Sequence, residues 1–212
     1  MFTFRRPHDA VLEQWLAAQR QREFTYPSVG ITNYSTPVEP PAGFRCDHTR
    51  ARIGSGSACF EAAKSALADW MQFQLGWLEA RPANTPLDVG EVVAVVARSL
   101  GLWSSNAARV VYFVDSPGPP ARFGFAYGTL PGHIARGEER FLVEWHEPDD
   151  SVWFDILAYS RPRHPLGWLG YPWLRRMQKR FGRDSVAAMR RAVTGHEFRT
   201  TGKVNQHPSQ IP

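Results

Sequence analysis

Side chains able to move a proton or hold an anion concentrate in one turn of the sequence, Tyr127-Gly-Thr-Leu-Pro-Gly-His-Ile-Ala-Arg-Gly-Glu-Glu-Arg140. With a strand on each side, this turn would gather Thr129, His133, Arg136, Glu138 and Glu139 at one mouth of a sheet, where loops on a rigid scaffold commonly carry function. A histidine near a carboxylate can perform general acid–base chemistry, and Arg136 can hold an anionic group. The competing reading is a structured hairpin loop whose charges pair with one another. A second constellation lies on the segment Ser151–Ser160, where Trp153, Asp155, Leu157 and Tyr159 alternate with Val152, Phe154, Ile156 and Ala158. If the Asp155 face is buried, the carboxyl needs a partner or a proton. Arg109, on a strand with Tyr112 and Phe113, is the candidate partner. The outcome would be a polar anchor in an aromatic pocket or a tuned acid; the alternative is a cross-strand Asp-Arg pair facing solvent.

Two weaker groupings complete the set. Tyr159-Ser-Arg-Pro-Arg-His164 offers two arginines and a histidine to a phosphate or carboxylate, without a glycine-rich cradle. Cys46, His48 and Arg50 alternate along one strand and point the same way, but side chains two apart sit nearly 7 Å apart at roughly 3.3 Å per residue, too far for a direct Cys-His dyad. Gly54-Ser-Gly-Ser57 lacks the lysine and spacing of a P-loop and reads as a helix cap at Ser57.

The elements that must position these residues follow from periodicity. Asp9–Glu23 reads as a short amphipathic helix through Val11, Leu12, Trp15 and Leu16. Residues 24–43 carry four prolines and two glycines, yet Tyr26, Val29, Ile31 and Tyr34 give them something to bury, so they are expected to form an ordered strap. A strand over Phe44–Ile53 leads into a helix over Ser57–Leu78 with one broad apolar face. Five strands follow, at Glu91–Ser99, Trp103–Asp115, Arg122–Thr129, Glu138–His146 and Ser151–Ser160. They are joined by connections short enough for antiparallel hairpins. A long helix is expected over Gly167–Val193, with Pro172 kinking it or marking its first turn, and then a mobile polar tail over 195–212. The fold class is therefore α+β: a curved antiparallel sheet of about six or seven strands wrapped around a long C-terminal helix, with an extra N-terminal helix. Residues 1–43 form the helix and strap and residues 44–194 the main domain. Small side chains on the terminal helix (Ser185, Ala188, Ala192) would leave a cavity between helix and sheet.

Composition narrows the partners. The 212 residues include 43% apolar residues and 27 aromatics, which excludes a disordered chain, and the longest aliphatic stretch, Val92–Ala97, is far short of the approximately 18 residues of a membrane span. No signal core precedes the first helix and only two cysteines occur, so a cytoplasmic protein without metal or cofactor is expected. The net charge of +5 is local: Arg161–Thr194 carries +8, leaving −3 elsewhere. That basic helix could meet nucleic acid or an anionic membrane, or be a solvated helix face.

Three stretches carry a resemblance to a known family: Tyr26-Pro-Ser-Val-Gly-Ile-Thr32, Phe125-Ala-Tyr-Gly-Thr-Leu-Pro-Gly-His133 running on through Arg136-Gly-Glu-Glu-Arg-Phe141, and Asp155-Ile-Leu-Ala-Tyr-Ser-Arg-Pro-Arg-His-Pro165. They resemble domain-of-unknown-function family 1990, found in bacteria and plants, over roughly Phe24–Val193. The resemblance implies a START-like, Bet v 1-like helix-grip fold, whose members carry hydrophobic ligands, cyclise polyketides or act as binding modules. The expected function is binding of a small hydrophobic or amphipathic ligand between sheet and C-terminal helix, with cyclase-like or lyase-like acid–base chemistry as its catalytic form. His133, Glu139 and Asp155 are the catalytic candidates. Arg109, Tyr112, Tyr127 and Thr129 are candidate ligand contacts, together with Trp153, Tyr159, Arg161 and His164. The alternative is a binding module that presents the basic C-terminal helix to nucleic acid or an anionic membrane.

Overall fold

The computed structural model describes residues 1–34, 38–162 and 171–204, with the side chains of Tyr171 and of 196–204 outside the description. In chain order the elements are β1 (Phe2–Thr3), α1 (Asp9–Gln19), β2 (Arg45–Ser55), α2 (Ser57–Ala68), β3 (Leu78–Arg81), β4 (Val92–Ser99), β5 (Leu102–Ser116), β6 (Ala121–Thr129), β7 (Ala135–His146), β8 (Ser151–Pro162) and α3 (Tyr171–Val204). All strand pairs are antiparallel, and the main path of the sheet runs β2-β8-β7-β6-β5-β4-β3, with the two-residue β1 pairing on β5. The curled sheet of seven main strands, the long C-terminal helix and the extra N-terminal helix are the architecture the periodicity implies.

Each face of the sheet has its own cover. On the concave face α2 and α3 enclose the main core, in which Phe60, Leu67, Trp70 and Met189 meet Phe123, Phe125, Phe141 and Phe154. On the convex face α1 sets Leu12 and Leu16 against Val92, Ala94, Val96, Ala107 and Leu130. Burying each of those leucines contributes about 1.5–3 kcal/mol. Because α1 covers one side of β4 and the core the other, Val92–Ala97 reads as one uninterrupted apolar run. The described parts of the strap, residues 24–34 and 38–43, lie across the convex side of β5 to β8: Thr25 bonds Thr129, Tyr26 bonds Glu138, Thr32 bonds Tyr112 and Val38 bonds Tyr159.

Five helix boundaries differ from expectation. The helix expected over 57–78 stops at Ala68, because Trp70 adopts a left-handed backbone (φ 55°) that places its buried indole on the Thr85 carbonyl at 2.8 Å. The apolar spacing beyond it belongs to a 3-10 turn at Met71–Phe73 and to the short strand β3. The cap of α2 is Gly56 (φ 86°), one residue before Ser57. The N-terminal helix ends at Gln19 rather than Glu23, with Val11 exposed. The terminal helix starts at Tyr171, which puts Pro172 in its first turn, and continues to Val204, so the backbone of 195–204 is helical where a tail was expected.

Candidate functional site

The concave face tapers. Reading each strand toward the same end of the sheet, β6 presents Phe123, Phe125, Tyr127 and Thr129, and β8 presents Phe154, Ile156, Ala158 and Ser160. In the same direction β4 presents Val93, Val95, Ala97 and Ser99, while β5, which runs the opposite way, presents Ala108, Asn106 and Ser104. At the bulky end α2 and α3 lie close together, because the facing side chains are Ala62, Ala63 and Ala66 on one helix and Ser185, Ala188 and Ala192 on the other. Ser185 also donates to the Gln72 carbonyl at 2.8 Å. At the small end only the first half of α3 lies above the sheet, crossing β2 where Gly182 meets Thr49 so closely that a Cβ would fall 2.8 Å from the Thr49 hydroxyl. Small floor residues under a helix held up at that end leave a cavity of about 970 Å³, within the range of small-molecule sites. The small residues of the terminal helix thus close the packed end, and the cavity lies at the opposite end from the one they suggested.

Its walls are largely apolar, with Phe73, Trp77, Val95, Ile156, Met177 and Phe181 among them. At its floor is a cross-strand pair, Tyr127 opposite Glu139, with the Tyr127 hydroxyl donating to Glu139 Oε2 at 2.6 Å. Glu139 lies deep in the protein, and what surface it keeps is cavity wall. Burial is the main cause that pushes its carboxyl up to about 7; the Asp47 carboxylate adds to the shift and the Tyr127 hydrogen bond opposes it. Burial and the same glutamate hold the Tyr127 hydroxyl well above its ordinary value, so tyrosine is the donor in this pair. Asp47 is in turn gripped by both terminal nitrogens of Arg175, which also reaches Gln178, and Gln178 donates to Ser160 at 3.1 Å. An acid with a midpoint near neutrality in a largely apolar cleft can give or take a proton at physiological pH, which is what general acid–base work requires. The mouth carries exposed apolar side chains, among them Phe2, Leu100, Leu102, Ile134 and Trp173, the last tied to Ser99 at 3.0 Å.

A second polar cluster lies beneath the strap on the convex face. Glu138 accepts four hydrogen bonds, from the Tyr26 hydroxyl (2.6 Å), Gly30 N–H (2.7 Å), Thr32 N–H (2.9 Å) and the Thr32 hydroxyl (2.6 Å). Arg140 donates to the carbonyls of Thr32 and Tyr34 and to Asp155 Oδ1 at 2.9 Å. The buried Asp155 carboxylate also takes His48 Nε2 at 2.6 Å and lies 3.5 Å from Arg50, which is paired with Glu144. The stretches that carry the family resemblance meet here: Tyr26, Gly30 and Thr32 from the first, Glu138 and Arg140 from the second, Asp155 from the third.

The sequence candidates therefore divide between two faces. Tyr127 and Glu139 share the cavity floor. His133 and Thr129 border the cavity, with the Thr129 hydroxyl 2.7 Å from Thr25 and accepting from Gly137 N–H, and the His133 ring at the Ala135 backbone. Asp155, Trp153, Tyr159, Tyr112 and Arg161 are on the convex side, where Arg161 stacks on Phe44, Tyr159 bonds Val38 and Arg50 lies over Trp153. The expected Arg109–Asp155 pair is corrected. Arg109 donates to the carbonyls of Gln19, Arg20 and Arg22 at the end of α1 and stacks on Phe24, while Asp155 is held by Arg140, His48 and Arg50. Both lie on the convex face, but β6 and β7 stand between their strands and the register separates them: Arg109 is level with Gly128, Glu138 and Tyr159, and Asp155 with Leu142 and Gly124. His48 turns to Asp155, so the spacing argument against a Cys46 dyad agrees with the geometry. His164 lies outside the described residues. Sequence reading missed Asp47, Arg175 and the strand-by-strand taper, although the taper is written in the alternate residues of four strands.

Among the described residues no group of three or more His, Cys, Asp or Glu is gathered as metal ligands would be, and no helix is long and apolar enough to cross a membrane. The fold and cavity define a helix-grip protein with a ligand-sized internal space. Residues 25–188 match the domain of unknown function DUF1990, and the chain belongs to that family. It is 35% identical over 211 residues to a UPF0548 protein of Dictyostelium discoideum, covering 93% of this chain and 98% of the relative. It is 37% identical over 205 residues to a UPF0548 protein of Deinococcus radiodurans, covering 91% and 99%. Among solved structures it is similar to human STARD10 (TM-score 0.49, 12% identity, 96% of this chain and 86% of that one) and to Ara h 8.0201 (TM-score 0.45, 12% identity, 69% and 98%).

Proposed function

We propose that the protein binds a small hydrophobic or amphipathic molecule in the cavity between the concave face and α3, with Glu139 and Tyr127 as the polar end of the site and Glu139 as the group able to transfer a proton. One observation carries this reading: a space of about 970 Å³ with a largely apolar wall and the hydrogen-bonded Tyr127–Glu139 pair at its floor. The exposed apolar side chains at the mouth suit the entry of such a molecule. Neither cysteine is in a disulfide, which suits a reducing cytoplasm.

The alternative use of the basic helix is weakened by where its charges go. Arg175 pairs with Asp47, Arg180 with Asp184 while lying over Trp77, and Arg190 donates to the Arg52 carbonyl. The test is native mass spectrometry of the purified full chain with solvent extraction, together with titration by 8-anilinonaphthalene-1-sulfonate. The expected result is a one-per-chain adduct or saturable one-to-one probe binding, lost when Ala97→Leu and Ala158→Leu fill the floor. Absence of both, with salt-steep binding of nucleic acid or anionic vesicles instead, would overturn it.

A further inference from the structure

The chemistry of the cavity's polar end narrows the ligand class, an inference that rests on the cavity reading above. Of the two Glu139 carboxyl oxygens, Oε2 accepts from Tyr127, whereas Oε1 has no hydrogen-bond partner among the described residues. The charged groups around it come from each packed element. From β2 comes Asp47, matched by Arg175 of α3, so that pair adds no net charge. His48 and Glu138, which also border the cavity, turn their side chains to Asp155 and to the strap. Arg136 is paired in register with Arg161 and is two residues from Glu138, and strand alternation sends it to the convex side with them. His133 is in the turn at the mouth, and Lys179 is on the exposed side of α3. Among the described residues no cation is hydrogen-bonded to Glu139, so a ligand carboxylate at the floor would meet that carboxyl without a counter-charge.

We infer that the cavity selects amphipathic molecules with an uncharged, hydrogen-bond-accepting polar end, such as a ketone or ester carbonyl, which accepts from protonated Glu139 Oε1 while Tyr127 holds the other oxygen, and that it rejects the matching carboxylates. The raised midpoint of Glu139, about 7, makes that donor available at neutral pH and removes it in mild alkali.

The test is titration of the full chain, followed by fluorescence of Trp77 and Trp173 in the wall, with three probes of equal length: 2-decanone, decanoate and decylamine. The expected result is that 2-decanone binds at least about tenfold tighter than decanoate at pH 6 and weakens about 30-fold from pH 6 to pH 8.5, the ratio of the protonated fractions for a midpoint of about 7. Glu139→Gln, whose amide still donates, keeps ketone binding and loses its pH dependence, and Tyr127→Phe serves as the second variant if the first fails to fold. Decanoate as the tightest ligand, with its binding removed by Arg136→Gln, would overturn the inference. So would decylamine as the tightest ligand gaining affinity as pH rises, which would make ionised Glu139 a counter-ion. If no probe binds, the cavity reading itself falls.

Discussion

Glu138 and Glu139 are neighbours on one strand, and alternation sends them to opposite faces of the same sheet. Beneath the strap, Glu138 receives four hydrogen bonds and Arg140 is held to two carbonyls and to Asp155, with its Nε left without a partner, so on this face the acceptor capacity of Glu138 is filled. In the cavity Glu139 has one hydrogen-bond partner among the described residues, Tyr127, and open space beside it. A buried charge whose hydrogen-bonding capacity is filled holds structure together, whereas one left half-satisfied at a cavity wall can serve a ligand. The convex network is the lock that fastens strap to sheet, and the concave pair is the working end.

Breaking the lock has the largest expected effect. Glu138→Ala leaves the Tyr26 hydroxyl, two backbone N–H groups and the Thr32 hydroxyl without their acceptor, and should lower stability by about 3–5 kcal/mol, read from the denaturant midpoint. The same measurement on Glu139→Gln should show the opposite sign above neutrality. The carboxyl releases its proton at about 7 in the folded chain against 4.5 when unfolded. Below 4.5 both states hold the proton, so the wild type has its full stability. As pH rises the unfolded chain ionises first, stability falls, and the loss is complete above 7. Glu139→Gln removes that loss and should be more stable than wild type at pH 8 by roughly 2–3 kcal/mol, with little difference at pH 4.

Filling the floor separates binding from folding. Ala158→Leu should change stability by less than about 1.5 kcal/mol while weakening probe binding at least about tenfold, because the added atoms enter space rather than a packed core. Smallest of all, Arg176→Gln with Lys179→Gln, both exposed on α3, should leave stability within about 0.5 kcal/mol and ligand binding unchanged. A loss of ligand binding in that double variant would blur the distinction between the faces.

Strand existence and hairpin order were legible because period-two alternation and turn residues are local signals, and six strands, β2 and β4 to β8, were located from them. The strand β3 was missed because its four residues follow an apolar pattern that continues helical spacing through Trp70 and Trp77. Glu139 and Tyr127 were named as candidates on separate grounds, and their pairing across β6 and β7 appears only with the register. Asp155 was assigned to the cavity because Trp153 and Tyr159 look as core-like as Phe154 and Ile156. A sheet covered on both faces gives no compositional sign of which face holds the space.

The sequence by itself determined the order of α1, β2, α2, β4 to β8 and α3, the antiparallel hairpins, the ordered strap and the alternation that separates Glu138 from Glu139, because each depends on neighbouring residues and on chain geometry. Only the tertiary structure decided which face was hollow. That choice depends on where α3 is drawn close by the alanines of α2 and where it is left standing above small side chains, a relation between segments more than 100 residues apart.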